Sequence, residues 1–230
     1  MKTSFSSPPI QAVLFDLDGT LIDSVGIYFQ IVAIVLERLG LPQARREDIL
    51  AAAEQDPFDW LKVVPTLDLS QKERLIASAW RIVEEAYPTL FQEQAKLIDG
   101  AVSLLNLLAL KGLKMGIVTS TPRKHLDHKM AILEKEGLAK LVNAVITADD
   151  APFKKPAPDP LILCANQLGI SVWGCVYIGD SCLDIQAGKS AGMRTIGVLS
   201  GFDREESLAV EQPDALIPSV GHLKDIFPFL

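Results

Sequence analysis

Ala12-Val13-Leu14-Phe15-Asp16-Leu17-Asp18-Gly19-Thr20 is a short apolar run that stops at two acids and a glycine. Four consecutive apolar residues suit a strand buried on both faces, the kind that parallel sheets use. Alternate side chains of an extended segment share a face, so Asp16 and Asp18 crowd two carboxylates at one strand end unless the turn re-aims the second. Two close carboxylates repel each other, and a divalent cation would relieve the repulsion. Gly19 permits close backbone approach or a positive φ, and N–H groups exposed in such a turn bind anionic oxygens. Alone, the same residues also read as turn chemistry, with the aspartates capping the next segment.

The pattern repeats outward from this stretch. Met115 to Val118 ends at Thr119, Asn143 to Ile146 ends at Thr147, Cys175 to Ile178 runs into Gly179 and Asp180, and Thr195 to Val198 runs into a Ser-Gly turn. Helical patterns alternate with these runs: Gly100 to Lys111 with Asp99 as its cap, Pro122 to Glu136, and a segment opened by Asp159 and Pro160 that ends at Gly169. The alternation predicts an α/β fold with a parallel sheet, and the polar residues at the strand ends converge where such sheets bind ligands.

One connection breaks the rhythm. Roughly a hundred residues separate the first strand from the second, where a crossover needs about a dozen. Within them, Val25 to Leu39 and Ser70 to Tyr87 read as amphipathic helices, and Glu47 to Glu54 and Phe58 to Val64 as shorter ones. The reading is a core domain from residues 1–24 and 95–230 with a helical cap domain, 25–94, inserted after the first strand.

The 230 residues are 49% hydrophobic and carry a net charge of −7. The chain is therefore long enough to bury a sizeable core, and its acidity argues against nucleic acid or an anionic membrane as partner. Cys164, Cys175 and Cys182 follow no ligand spacing and read as reduced thiols of a cytoplasmic protein. The opening MKTSFSSPPIQ lacks the apolar region of an export signal, and no run of 18 apolar residues occurs.

The other strand ends supply the rest of a site. Thr119 and Ser120 offer hydroxyls and N–H groups that hold phosphate oxygens at a helix start, although a Thr there is also an ordinary cap. Lys155 lies in Lys154-Lys155-Pro156-Ala157-Pro158-Asp159, where two prolines stiffen the backbone and fix where the ammonium points. Paired lysines are otherwise solvated charge. Asp180, with Asp184 four residues on, suits a metal ligand and the acid that supports it, or a helix N-cap.

In this order, DxDGT, a Thr or Ser after the second strand, a Lys before Pro and GDxxxD resemble the haloacid dehalogenase superfamily of phosphatases. The resemblance extends over nearly the whole chain from Ala12 and implies a Rossmannoid parallel-sheet core with an inserted cap. It implies that Asp16 is a nucleophile forming an aspartyl-phosphate, and that Asp18 is the acid and then the base. Mg²⁺ would be held by the carboxylates of Asp16 and Asp180 and the backbone carbonyl of Asp18. Gly19, Thr119, Ser120 and Lys155 would bind the phosphoryl group, and Asp184 would support the site from one contact further out. Closure of the cap would exclude bulk water and select the leaving group.

Dehalogenases and phosphonoacetaldehyde hydrolases lack the second aspartate that stands here as Asp18, which favours phosphoryl chemistry. The β-phosphoglucomutase branch carries a His where Tyr28 stands. Asp23-Ser24 resembles the phosphoglycolate phosphatase branch, but residues 51–60 do not resemble its glycine-containing specificity loop. The expected activity is Mg²⁺-dependent hydrolysis of a small phosphomonoester, phosphoglycolate-like, by a monomer or homodimer. The rivals are a phosphotransferase or phosphomutase acting on sugar phosphates, and a catalytically idle regulatory or binding protein on the same fold.

The remaining polar residues have ordinary readings. Arg45 and Arg46 suit a solvated helix start, and His125, His128 and His222 suit the surface. Arg123 and Lys124 follow Thr119 closely enough to meet substrate, although the ordinary reading is the commoner one, and Asp149-Asp150 either shapes a rim of the site or caps a loop. Cys182 reads as a packed thiol within the last motif, and Trp60, Trp80 and Trp173 as packing.

Overall fold

A computed structural model describes residues 9–52 and 69–226, without the side chains of 50–52 and 69–73. Its contacts divide the chain into two compact units, Met1–Asp23 with Lys96–Leu230, and Ser24–Ala95. Among the described residues, no helix is long and apolar enough to cross a membrane.

The larger unit is built on six parallel strands in the order β5-β4-β1-β6-β7-β8. These are β1 (Ala12–Phe15), β4 (Lys114–Val118), β5 (Ala144–Ile146), β6 (Cys175–Gly179), β7 (Arg194–Val198) and β8 (Ala215–Ile217). Every residue of β1 is buried, as its uninterrupted apolar run requires, because β4 and β6 flank it within the sheet and the helix Asp159–Leu168 packs against it. The chain lays β4 and β5 to one side of β1, then crosses back to place β6, β7 and β8 on the other. The reversal happens at β1, so the crevice at its carboxyl end is the switch point where open parallel sheets bind ligands.

The helices of this unit are α4 (Ala101–Leu110), α5 (Leu126–Lys135), α6 (Asp159–Leu168), α7 (Cys182–Ser190), α8 (Glu205–Val210) and α9 (Leu223–Ile226). Helix α6 packs on β4 and β5, and α7 on β6 and β7. Ala12 and Leu14, alternate residues of β1, share a buried cluster with Val118, Ile146, Leu161, Cys164 and Tyr177.

Several local expectations are corrected. Asp99 does not cap α4; the cap is Gly100, in the left-handed region at φ 89°, with no side-chain bond. The segment after Pro122 starts as a 3₁₀ turn over Arg123–His125 before α5. Strand β5 omits Asn143, whose side-chain oxygen instead accepts from the N–H of Met115 at 2.9 Å. The sequence reading passed over β8 and a two-residue antiparallel pair, β2 (Ile22–Asp23) with β3 (Lys96–Leu97), because runs of two or three residues carry no periodicity to detect.

The smaller unit is helical among its described residues: α1 (Val25–Arg38), α2 (Arg46–Ala52) and α3 (Leu69–Gln94), with α1 packed on α3. Helix α1 buries Val25, Ile27, Ile31, Val32, Val35 and Leu36, the stripe expected of its periodicity. Helix α3 runs past the expected Tyr87 and through Pro88. The helix expected at Phe58–Val64 and Trp60 lie outside the described residues, as do 53–60 of the stretch 51–60 compared with the specificity loop; the first two residues of that stretch end α2.

Candidate active site

Three strand ends deliver the site. Asp16 follows β1, and its N–H continues the ladder to the carbonyl of Ile178 at 2.8 Å. Thr119 follows β4 with its N–H on Ile146 O at 2.9 Å, and Asp180 follows β6. All three are buried.

Lys155 ties this line together. Its ammonium donates to Asp16 Oδ1 at 2.7 Å, to Asp184 Oδ1 at 2.6 Å and to the Tyr177 hydroxyl at 3.1 Å. Its side chain is 6% exposed, whereas the neighbouring Lys154 is an exposed residue. The Lys155–Pro156 peptide is cis. Asp16, Asp180 and Asp184 each bring a carboxylate oxygen within 4.8 Å of the others.

Asp184 is saturated. Oδ1 accepts from Lys155 and from Tyr177 Oη at 2.8 Å, while Oδ2 accepts from the N–H of Ser181 at 3.1 Å and its hydroxyl at 2.6 Å. The bond from the Ser181 N–H, with the one that the Asp184 N–H gives to Ser181 Oγ at 3.3 Å, forms the capping box of α7, so its N-cap is Ser181 and not Asp180. Glycine is required at 179 because a Cβ there would overlap the Asp184 carboxyl.

Asp180 is fixed instead by Thr20, whose hydroxyl donates to Oδ1 at 3.0 Å, and by the N–H of Phe202, which donates to Oδ2 at 2.8 Å. Gly19 makes room: its φ of 73° favours glycine, and a Cβ would run into the Asp180 carboxylate. Its carbonyl accepts from Ser200 Oγ at 2.8 Å.

Charge within the cluster is unbalanced, with three buried carboxylates facing one ammonium. Burial pushes Asp16 up to about 7, reinforced by Asp184 and Asp18 and opposed by Lys155. Burial also pushes Asp180 well above the usual carboxylate range, with Asp16 and Asp184 adding to it. Burial would raise Asp184 too, but Lys155, Ser181 and Tyr177 outweigh it and hold that carboxyl below its ordinary value. Lys155 is held well above its ordinary value, because Asp16 and Asp184 outweigh the cost of its burial. Two acids that resist ionisation beside a saturated third are what a hard divalent cation with oxygen ligands would relieve.

The Asp18 carboxylate is held by a second set of groups. Its Oδ2 accepts from the Thr121 hydroxyl at 3.1 Å and from the ammonium of Lys129. Thr119 is linked in through its own hydroxyl, which donates to Thr121 Oγ1 at 3.0 Å, while Ser120 is exposed. Val118, Thr119, Ser120, Lys154 and Lys155 contribute to one pocket.

Tyr177, Thr121, Lys129 and Phe202 were not singled out from the sequence. Of these only Lys129 had a local signal: with Leu126 and Leu133 it falls on the buried stripe of α5, where a lysine demands a partner.

The secondary candidates separate. Arg123 pairs with Asp150 at 2.5 Å and gives its backbone N–H to Asp149 at 2.8 Å, so the loops after β4 and β5 are stitched together. Arg45 pairs with Asp48 at 2.9 Å, and Arg46 stacks 4.4 Å over the Phe29 ring. Burial pushes the Cys182 thiol up to about 12, helped by Asp203, so it stays protonated. Trp173, on the 3₁₀ turn that leads into β6, is 65% exposed rather than packed. His125 is half-buried, since it closes the 3₁₀ turn against α5.

The family model for haloacid dehalogenase-like hydrolases matches residues 13–198. A phosphoglycolate phosphatase of Escherichia coli (strain K12) is 32% identical over 232 residues, covering 93% of this chain and 91% of that protein. Among solved structures, one from Haemophilus somnus 129pt described as a "predicted phosphoglycolate phosphatase" has a TM-score of 0.78 at 22% identity, covering 96% of this chain and 99% of the other. A hydrolase from Pseudomonas syringae has a TM-score of 0.73 at 25% identity, covering 96% and 99%.

Proposed function

The chain belongs to the haloacid dehalogenase-like hydrolases, and from that premise we propose that it is a Mg²⁺-dependent phosphatase of a small phosphomonoester, with 2-phosphoglycolate as the first substrate to test. The observation that carries this reading is the buried Asp16 carboxylate at a strand end, held 2.7 Å from the Lys155 ammonium and beside Asp180 and Asp184.

Each residue then has a chemical task. A carboxylate oxygen of Asp16 attacks phosphorus, the bond from phosphorus to the ester oxygen breaks, and Asp18 protonates the departing oxygen. Water then attacks the aspartyl-phosphate and returns a proton to Asp18, which frees Asp16 and inorganic phosphate. Lys155, Thr119, Ser120 and the turn at Gly19 bind the phosphoryl oxygens, whose charge must be met by fixed donors. Asp184 and Tyr177 orient Lys155. Mg²⁺ fits the donor set as a hard cation held by the Asp16 and Asp180 carboxylates and the backbone carbonyl of Asp18, and when bound it supplies the positive charge that the acids and the phosphate lack. The three cysteines are free, which supports a reducing, cytoplasmic setting.

Purified protein should release phosphate from 2-phosphoglycolate only with Mg²⁺. Release undiminished in EDTA would remove the metal from the reading. A panel of small phosphate esters ranks the substrates, and analysis of products from a sugar phosphate distinguishes hydrolysis from transfer, which leaves no free phosphate.

A further inference from the structure

Helix α5 buries Leu126, Lys129 and Leu133 along one stripe. A lysine there takes the place of an aliphatic residue, and at 6% exposure its ammonium is costly unless it is paired. Its nitrogen donates to Asp18 Oδ2 and, at 2.7 Å, to Thr121 Oγ1. Thr121 Oγ1 also accepts from the Thr119 hydroxyl at 3.0 Å.

The direction of these bonds matters. A hydroxyl has two acceptor positions and one proton. An ammonium can only donate, so Lys129 takes an acceptor position on Thr121 Oγ1 and leaves the hydroxyl proton for Asp18 Oδ2, 3.1 Å away. Asp18 Oδ2 is thus gripped by two donors from different elements, the loop after β4 and helix α5.

We propose that Lys129, with Thr121, is a positioning residue that aims the Asp18 carboxyl at the leaving oxygen; this rests on the reading of Asp18 as acid and base. The clamp supplies aim, because a cation beside a carboxyl favours the ionised form and adds nothing to the supply of protons. The site therefore divides its two buried ammonium groups, Lys155 serving Asp16 and Asp184, and Lys129 serving Asp18.

The test varies how much the leaving group needs a proton. 2-Phosphoglycolate departs as an alkoxide and needs one; p-nitrophenyl phosphate departs as a stable phenolate. Lys129→Met should lower kcat/KM, which covers only the transfer from the ester to Asp16, by about 10- to 100-fold on 2-phosphoglycolate, with a loss on p-nitrophenyl phosphate at least about fivefold smaller. Thr121→Val should show the same selectivity with a smaller loss, and Thr121→Ser should restore it. Circular dichroism checks folding, and the threonine pair decides the matter if Lys129→Met does not fold. Equal losses on the two esters, or a gain on 2-phosphoglycolate, would overturn the proposal. Asp18→Asn sets the scale: if it shows no alkyl-selective loss, the acid role itself is wrong and the clamp falls with it. If it does and neither clamp variant follows, only the clamp is refuted.

Discussion

The two compact units hold their polar groups in opposite ways. In the larger unit, Asp16, Lys155, Asp180 and Asp184 are buried and bonded across elements far apart in sequence. In the smaller one, the described polar pairs are exposed: Arg38 with Glu85 at 2.8 Å, side chains 49% and 70% exposed, and a reciprocal amide pair between Gln30 and Gln94. Buried charge is retained against its desolvation cost only where something requires it, whereas exposed pairs contribute little either way. The contrast supports placing the proposed chemistry at the sheet, and it gives the helical unit a fold held by the apolar stripe of α1. Substitutions should separate the units accordingly.

The largest effect belongs to Asp16, the proposed nucleophile. Asp16→Asn keeps the shape of the side chain and removes its nucleophilic charge, so phosphate release should fall by roughly 10⁴-fold or more. Persistent turnover, measured after excluding back-deamidation by mass spectrometry, would sink the assignment of Asp16. Lys155→Met comes next. It should cost about 10²- to 10³-fold in kcat, the scale of losing one fixed donor. It also leaves Asp16 and Asp184 buried without their shared cation, a loss of about 3–5 kcal/mol that urea denaturation in EDTA should detect. A stability unchanged from wild type would mean that the ammonium is not structurally required.

A smaller effect follows from the acids themselves. Folded Asp16 releases its proton at about 7, far above its ordinary 3.8, so the folded state binds that proton more tightly than the unfolded chain does. Its contribution to stability is fully present below about pH 4 and is lost as pH rises through about 7. Asp180 shifts in the same direction, while Asp184 opposes both. A cation that needs the ionised carboxylates should therefore raise the melting temperature more at pH 8 than at pH 5. Equal stabilisation at the two values would argue against Asp16 as a ligand.

The parts of this site that were legible in the sequence are those written in consecutive residues. Asp16 to Thr20, Lys154 to Asp159 and Gly179 to Asp184 each place a charged group at a strand end or in a stiff loop, and that placement is local. The groups that hold them were not. Tyr177 reads as one more apolar-strand residue until β6 brings its hydroxyl to Lys155 and Asp184. Phe202 contributes only a backbone N–H, which no side-chain pattern reveals. Thr121 becomes informative only because α5 returns Lys129 to it. The fold shows the same division, since the apolar runs of β1, β4, β6 and β7 declare themselves while β8 depends on pairing with β7.

The smallest expected effect tests the other side of the comparison. Arg38 and Glu85 join α1 to α3 across the helical unit with a contact of hydrogen-bond length, yet both side chains remain largely in water. An exposed pair gains little Coulomb energy at high dielectric and gives up side-chain entropy to hold its geometry. A double-mutant cycle with Arg38→Ala and Glu85→Ala should therefore yield a coupling of about 0.2–1 kcal/mol, shrinking as salt is raised. The stripe of Ile31, Val32, Val35 and Leu36 on α1 predicts the reverse, because truncating a buried aliphatic residue costs about 2–5 kcal/mol and is indifferent to salt. A coupling as large as that would mean the helical unit, too, depends on its polar pairs, and the division drawn between the two units would no longer hold.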